Sequence, residues 1–168
     1  MRTEATSTAT AQSVAFTGHR TIRPEHLERV KTLLASSIVQ LYERGFRNFY
    51  SGMAVGFDLL AAEIVIDLKS ICPKLRLIAA IPFHSQDRFY SDKDKARYQK
   101  AISQADQRII LTTRYNRYAY RIRNAYLVEH SSHIISYFDA SIGMSGTGQT
   151  IHMAERQGIE ITNLFTKL

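Results

Sequence analysis

Apolar positions along the chain fall into two alternating patterns: short unbroken runs, and longer stretches in which apolar residues recur every three or four positions. Residues 13–17 form the first run, which reads as a buried strand ending at Gly18-His19-Arg20. Pro24 suits a first helical turn, and Leu27, Val30, Leu34, Ile38 and Leu41 predict a helix that stops at Gly45. A short strand over 46–50 follows, then a helix carrying Leu60, Ala61, Ile64 and Leu68, then a strand over 75–81 stopped by Pro82. Residues 84–105 are rich in charge and predict a loop and an exposed helix. The pattern then gives a strand over 108–113 and a helix over 118–131 that turns Ala119, Ile122, Tyr126 and Leu127 towards a sheet. It closes with a strand over 133–138, a glycine-rich passage over 139–150 leading into a helix that ends at Gly158, and a strand over 160–165.

Strands alternating with helices, with nearly continuous apolar strand runs, predict an α/β fold: a three-layer Rossmann-like sandwich with a mainly parallel sheet. Ligands of such sheets bind outside the carboxyl ends of the strands, where strand order reverses. The glycine-rich and arginine-bearing junctions all fall at such ends. The 168 residues, 45% of them hydrophobic, suffice for one core, so residues 13–168 are expected to form a single domain. Residues 1–12 are small and polar and read as a disordered lead-in.

The nine residues from Tyr50 to Asp58 place Gly52 and Gly56 between a strand end and a helix start. Glycines there let the backbone turn tightly and approach a ligand, and the unpaired N–H donors of the next helix favour an anion. The formal net charge of +7 also favours anionic partners, without choosing among nucleotides, nucleic acid and acidic proteins. The lone cysteine, Cys72, excludes an internal disulfide, and no apolar run is long enough to span a bilayer. Together these give the expectation of a cytoplasmic protein with no membrane partner. The histidines show neither HxxxH nor Cys/His spacing, so no metal is expected.

Four segments, Thr17-Gly18-His19-Arg20, Ser51 through Asp58, Asn116 through Asn124, and Gly146-Thr147-Gly148-Gln149-Thr150, give the chain its resemblance to the YpsA-like family of the SLOG superfamily. The likeness runs in consistent order from about Val14 to the end. It implies a Rossmann-like fold binding nucleotide-derived ligands, with ADP-ribose-type or NAD-related molecules foremost. A related branch, the Lonely Guy phosphoribohydrolases, uses an Arg from an Arg-Lys-x-x-Met motif and a Glu from a Pro-Gly-Gly-x-Gly-Thr-x-x-Glu motif. Arg123-Asn124-Ala125-Tyr126-Leu127 resembles the first. In the second, Thr150 stands where the Glu would be and the proline is absent, which removes the carboxylate of that route.

The resulting candidate ligand-binding residues are Gly18, His19, Arg20, Ser51, Gly52, Met53, Ala54, Gly56, Asp58, Arg123, Asn124, Asp139, Gly146, Thr147, Gly148 and Thr150. Arg20 reads as a phosphate partner or a solvated loop arginine. His19 reads as a ligand donor or a structural contact. Asp58 reads as a partner for ribose hydroxyls or as a carboxylate favoured by the helix dipole. Asp139 reads as a ligand contact or a turn cap. The cations and aromatics interleaved over 114–123 suit single-stranded nucleic acid, or else the solvated start of a helix. The leading expectation is a protein that binds or senses an ADP-ribose- or NAD-like nucleotide, with homo-oligomerisation open. The alternatives are an N-glycosidic hydrolase using Asp58, Glu129 or Asp139, and a nucleic-acid binder akin to the DNA-processing protein A family, which shares this fold.

Overall fold

The computed structural model describes residue 10 and residues 12–168. The expected lead-in therefore lies almost wholly outside the described residues. Gln12 is described, and its carbonyl accepts from the backbone N–H groups of Arg47 and Asn48 at 3.0 and 3.4 Å.

Six strands, β1 (Ser13–Gly18), β2 (Asn48–Ser51), β3 (Arg76–Phe83), β4 (Gln107–Thr112), β5 (His133–Tyr137) and β6 (Glu160–Asn163), build one sheet in the order β4-β3-β2-β1-β5-β6. Every neighbouring pair is parallel. Between the strands run α1 (Leu27–Glu43), α2 (Phe57–Leu68), α3 (Asp92–Gln104), α4 (Ala119–Glu129) and α5 (Gly146–Arg156). The chain steps outward from β1 to β4, then crosses back to place β5 beside β1. Strand order thus reverses between β1 and β5, which opens a crevice at their carboxyl ends.

The strand pleat sorts side chains between the two outer layers. Val14 and Phe16 of β1, Leu77, Ala79 and Ile81 of β3, and Ile135 and Tyr137 of β5 pack with α1, α2 and α3. Ala15, Ala80 and Ile134 face the other way, against Leu127 and Val128 of α4 and Ile151 and Ala154 of α5. The α1 stripe is as the spacing predicts: Val30, Leu34, Ile38 and Leu41 are buried. Each such side chain contributes roughly 1.5–3 kcal/mol when removed from water.

Three expectations are corrected. Pro82 does not stop β3, which continues to Phe83. β2 has already run out at the Ser51–Ala79 pair, so no ladder bond is forfeited on that side, and the Pro82 carbonyl accepts from Thr112 Oγ1 at 2.7 Å. The buried stripe of α4 is also phased differently: Ala119, Arg123, Asn124, Leu127 and Val128 are inside, whereas Ile122 is 42% exposed. Arg123 occupies a core-facing position that an apolar residue would normally hold, so counting apolar residues alone shifts the face. The last strand ends at Asn163, whose side-chain oxygen accepts from the Phe165 N–H at 3.2 Å and starts a 3₁₀ turn over Leu164–Lys167. Among the described residues, no helix is long and apolar enough to cross a membrane.

Candidate functional site

The tip of β1 is tied to the tip of β5. His19 donates its backbone N–H to the Tyr137 carbonyl at 3.2 Å, and its Nε2 accepts from the Asp139 N–H at 2.9 Å. An accepting Nε2 must carry a free lone pair, so the ring is neutral with its proton on Nδ1. Burial lowers the pKa of His19, against the opposing pull of Asp139, which agrees with that assignment. Asp139 is itself engaged: Oδ1 accepts from the Ser141 N–H and hydroxyl at 3.0 and 2.6 Å, and Oδ2 pairs with Arg23 at 2.5 Å. These contacts hold its carboxyl below the usual range, with the Ser141 hydroxyl the leading cause.

The β2–α2 turn is organised around a buried arginine from the opposite layer. Arg123, 5% exposed, donates from Nη1 to the Gly52 carbonyl at 2.5 Å and from Nε to Asn124 Oδ1 at 2.8 Å. Gln86 Nε2 donates to the same Gly52 carbonyl at 2.7 Å. A Cβ on residue 52 would lie 2.7 Å from the Arg123 Cζ. A Cβ on Gly56, where φ is +84°, would lie 2.6 Å from the His19 carbonyl oxygen. Both glycines therefore make room for the protein's own groups. Met53 has φ of 60° and is fully buried. Its strained backbone is pinned at both ends, by Ser51 Oγ accepting from its N–H at 3.1 Å and by Tyr90 Oη donating to its carbonyl at 3.0 Å. Ser51 Oγ in turn donates to the Asp58 carbonyl at 2.8 Å.

At the β1–β5 crevice lies a cavity of about 380 Å³. Thr17 and Gly18 come to it from the end of β1, His19 and Arg20 from the loop that follows, Ala54 from the turn before α2, Asp58 from the first turn of α2, Tyr120, Arg123 and Asn124 from α4, and Ser145, Gly146 and Thr147 from the start of α5. Arg20 is exposed, and its guanidinium lies 5.4 Å from the Tyr120 ring centre, with that of Arg123 5.8 Å from the same ring. Asp58 is 5% exposed, and burial pushes its carboxyl up to about 6 despite Arg123, Arg20 and the N–H groups of Gly18 and Ala54, which favour the ionised form. Its Oδ1 is buried with no hydrogen-bond partner. Burial likewise lowers the pKa of Arg123, and Asp58 opposes that shift. Ser145 caps α5, its hydroxyl accepting from the Gly148 N–H at 3.0 Å, and Ser145, Gly146 and Thr147 at the start of that helix line the cavity. A larger groove of about 700 Å³ runs between α1, α2 and α3, but its central arginine, Arg97, is already paired with Glu63 and Asp94.

Of the residues singled out in the sequence, the cavity gathers Gly18, His19, Arg20, Ala54, Asp58, Arg123, Asn124, Gly146 and Thr147. Ser51, Gly52, Met53 and Gly56 stand behind it as the framework of Arg123 and α2. Gly148 supplies a capped amide, and Thr150 donates its hydroxyl to the Gly146 carbonyl at 3.0 Å. Asp139 serves the turn and Arg23 rather than lining the cavity. Thr17, Tyr120 and Ser145 line it without having been singled out. Tyr120 could have been found from its place three residues before Arg123, one helical turn away, and Ser145 from its place as a capping serine before Gly146. Among the described residues, no group of three His, Cys, Asp or Glu side chains is placed to hold a metal ion.

Residues 15–164 match the profile of the YspA SLOG family. UPF0398 protein SERP1017 of Staphylococcus epidermidis is 27% identical over 112 residues, a match covering 66% of this chain and 60% of that protein. The chain thus spans about three fifths of the length of this curated relative. Among solved structures, DNA processing protein A from Streptococcus pneumoniae superposes with a TM-score of 0.61 at 17% identity, covering 90% of this chain and 49% of that one. DNA processing protein A from Helicobacter pylori gives 0.61 at 20% identity, covering 90% and 64%, and is described in terms of its single-stranded DNA binding mode. At these identities the two structures share the fold.

Proposed function

Because the chain belongs to the YspA SLOG family, we propose that the β1–β5 cavity binds or senses a nucleotide-derived ligand of the ADP-ribose or NAD type. The observation that carries this reading is the convergence of Arg20, Arg123 and the first turn of α5 on one cavity at the strand-order reversal. Two guanidiniums and a helix N-terminus suit a phosphate, and the rings of His19 and Tyr120 offer apolar surface to a base. The cavity volume falls within the range of small-molecule sites. Calorimetry with ADP-ribose, AMP, ribose and adenine tests the reading: the phosphate-bearing compounds bind and the others bind far more weakly. Arg20 is the residue to probe, because it is exposed and its removal leaves the core intact. Arg20→Ala weakens AMP binding by roughly 10- to 100-fold, the loss of about 1.5–3 kcal/mol expected for a charge-assisted contact. Equal affinity for adenine and ADP-ribose overturns the reading.

A hydrolase would have to work without the Lonely Guy-type glutamate, since Thr150 holds that position. Of the replacement carboxylates considered, only Asp58 lines the cavity. A second reading, single-stranded nucleic-acid binding, is favoured by the exposed rim, where Phe89 and Tyr118 lie under the guanidiniums of Arg88 and Arg117 at 5.2 and 4.6 Å.

A further inference from the structure

Asp58 is more deeply buried than a dipole partner needs to be. A carboxylate in the first turn of a helix gains its interaction with the N-terminus while exposed, and loses hydration if it is covered. Asp58 is covered and leaves one oxygen, Oδ1, without any donor. Buried polar atoms are almost always partnered, so a lone acceptor on a residue that lines the cavity points to a donor supplied from outside the chain.

The neighbours of Asp58 narrow the chemistry of that donor. The charges of Arg123 on α4 and Arg20 in the loop after β1 favour its ionised form, as do the N–H groups of Gly18 and Ala54. A ligand ammonium would meet both guanidiniums, so the donor is neutral. The groups suited to phosphate, Arg20, Arg123 and the first turn of α5, line the same small cavity. The part of a nucleotide covalently next to its phosphate is the sugar, and the neutral donors of a sugar are hydroxyls. The exocyclic amine of a base lies farther along a nucleotide from its phosphate than the sugar does.

We propose that Asp58 reads a sugar hydroxyl, its Oδ1 accepting a hydrogen bond from the ribose of the bound nucleotide, so that the cavity selects ribonucleotides over their deoxy analogues. This rests on the nucleotide reading above. A site with a buried acceptor awaiting a hydroxyl discriminates strongly, because the analogue lacking that hydroxyl leaves the acceptor unpaired in the complex.

The test is calorimetric titration of AMP, 2′-deoxy-AMP, 3′-deoxy-AMP and IMP into the wild-type protein, Asp58→Leu and Asp58→Ala, with pyrophosphate as a further probe of the wild type. Circular dichroism and melting establish that each variant is folded, and the near-isosteric Asp58→Leu, which carries no acceptor, serves if the alanine variant does not fold. The wild type binds AMP at least tenfold more tightly than one of the two deoxy analogues, binds AMP and IMP alike, and loses the ribose preference in Asp58→Leu. Wild-type protein that binds pyrophosphate and AMP but treats all three adenine nucleotides equally overturns the role of Asp58 and leaves the nucleotide reading standing. So does a preference that persists undiminished in Asp58→Leu, or one that follows AMP over IMP. Failure of the wild type to bind pyrophosphate or any nucleotide overturns both.

Discussion

Asp58 couples the site to pH through stability. Its carboxyl titrates at about 6 in the folded chain, against an ordinary value of 3.8. Below about 4 the group is protonated in folded and unfolded chains alike and carries no penalty. Between 4 and 6 the folded chain holds a proton that the unfolded chain has released, so stability falls as pH rises. Above 6 the loss is complete and amounts to on the order of 3 kcal/mol for a shift of this size. Asp58→Asn, which mimics the neutral acid, is therefore expected to be more stable than the wild type at pH 7.5, with the gain shrinking to nothing near pH 4. Denaturant unfolding at the two pH values measures it, and a destabilised Asp58→Asn at pH 7.5 refutes it.

At the scale of elements, the glycine turn after β2 shows what spacing does and does not reveal. Sequence spacing puts Gly52 and Gly56 at a strand-to-helix junction, and they are there, but the space they leave is filled by Arg123 and by the backbone of His19. Only long-range packing decides what fills such a space, and a single sequence does not carry that information. The same applies to α4, where Arg123 sits in the buried stripe and disguises the inward face, and hence hides Tyr120. The strands and the α1 stripe were legible, because unbroken apolar runs and three- and four-residue spacing follow directly from burial. Gly52→Ala is accordingly expected to act on the framework before it acts on any ligand. A Cβ at this position displaces the Arg123 guanidinium and breaks its bond to the Gly52 carbonyl. Loss of a buried charge-assisted hydrogen bond, with overpacking added, predicts destabilisation by about 3 kcal/mol. Chemical denaturation checks this, and an unchanged midpoint shows that Arg123 has somewhere else to go.

The whole molecule carries a formal net charge of +7, and part of its exposed cationic and aromatic surface follows β3 and β4 at the carboxyl edge of the sheet. Arg88, Arg114, Arg117 and Arg121 are exposed there, with Phe89, Tyr115 and Tyr118. If the rim takes a polyanion and the cavity the proposed nucleotide, the two surfaces are separable by salt and by competition. If the four rim arginines each contact one phosphate of a single strand, log K falls with log salt at a slope of about 0.7 per phosphate, or roughly 3 in total. That slope predicts an approximately 50-fold loss of affinity for a short oligothymidylate between 50 and 200 mM salt. Binding of AMP, which presents a single phosphate, changes far less over the same interval. Because the oligonucleotide rests on the rim, saturating AMP leaves its binding in place. Fluorescence anisotropy of a labelled oligothymidylate, titrated at both salt concentrations with and without AMP, measures all three expectations. Sub-micromolar binding that survives 200 mM salt and is displaced by AMP would put a strand end inside the cavity, and would make nucleic acid rather than a free nucleotide the ligand for which Arg20, Arg123 and the first turn of α5 are arranged.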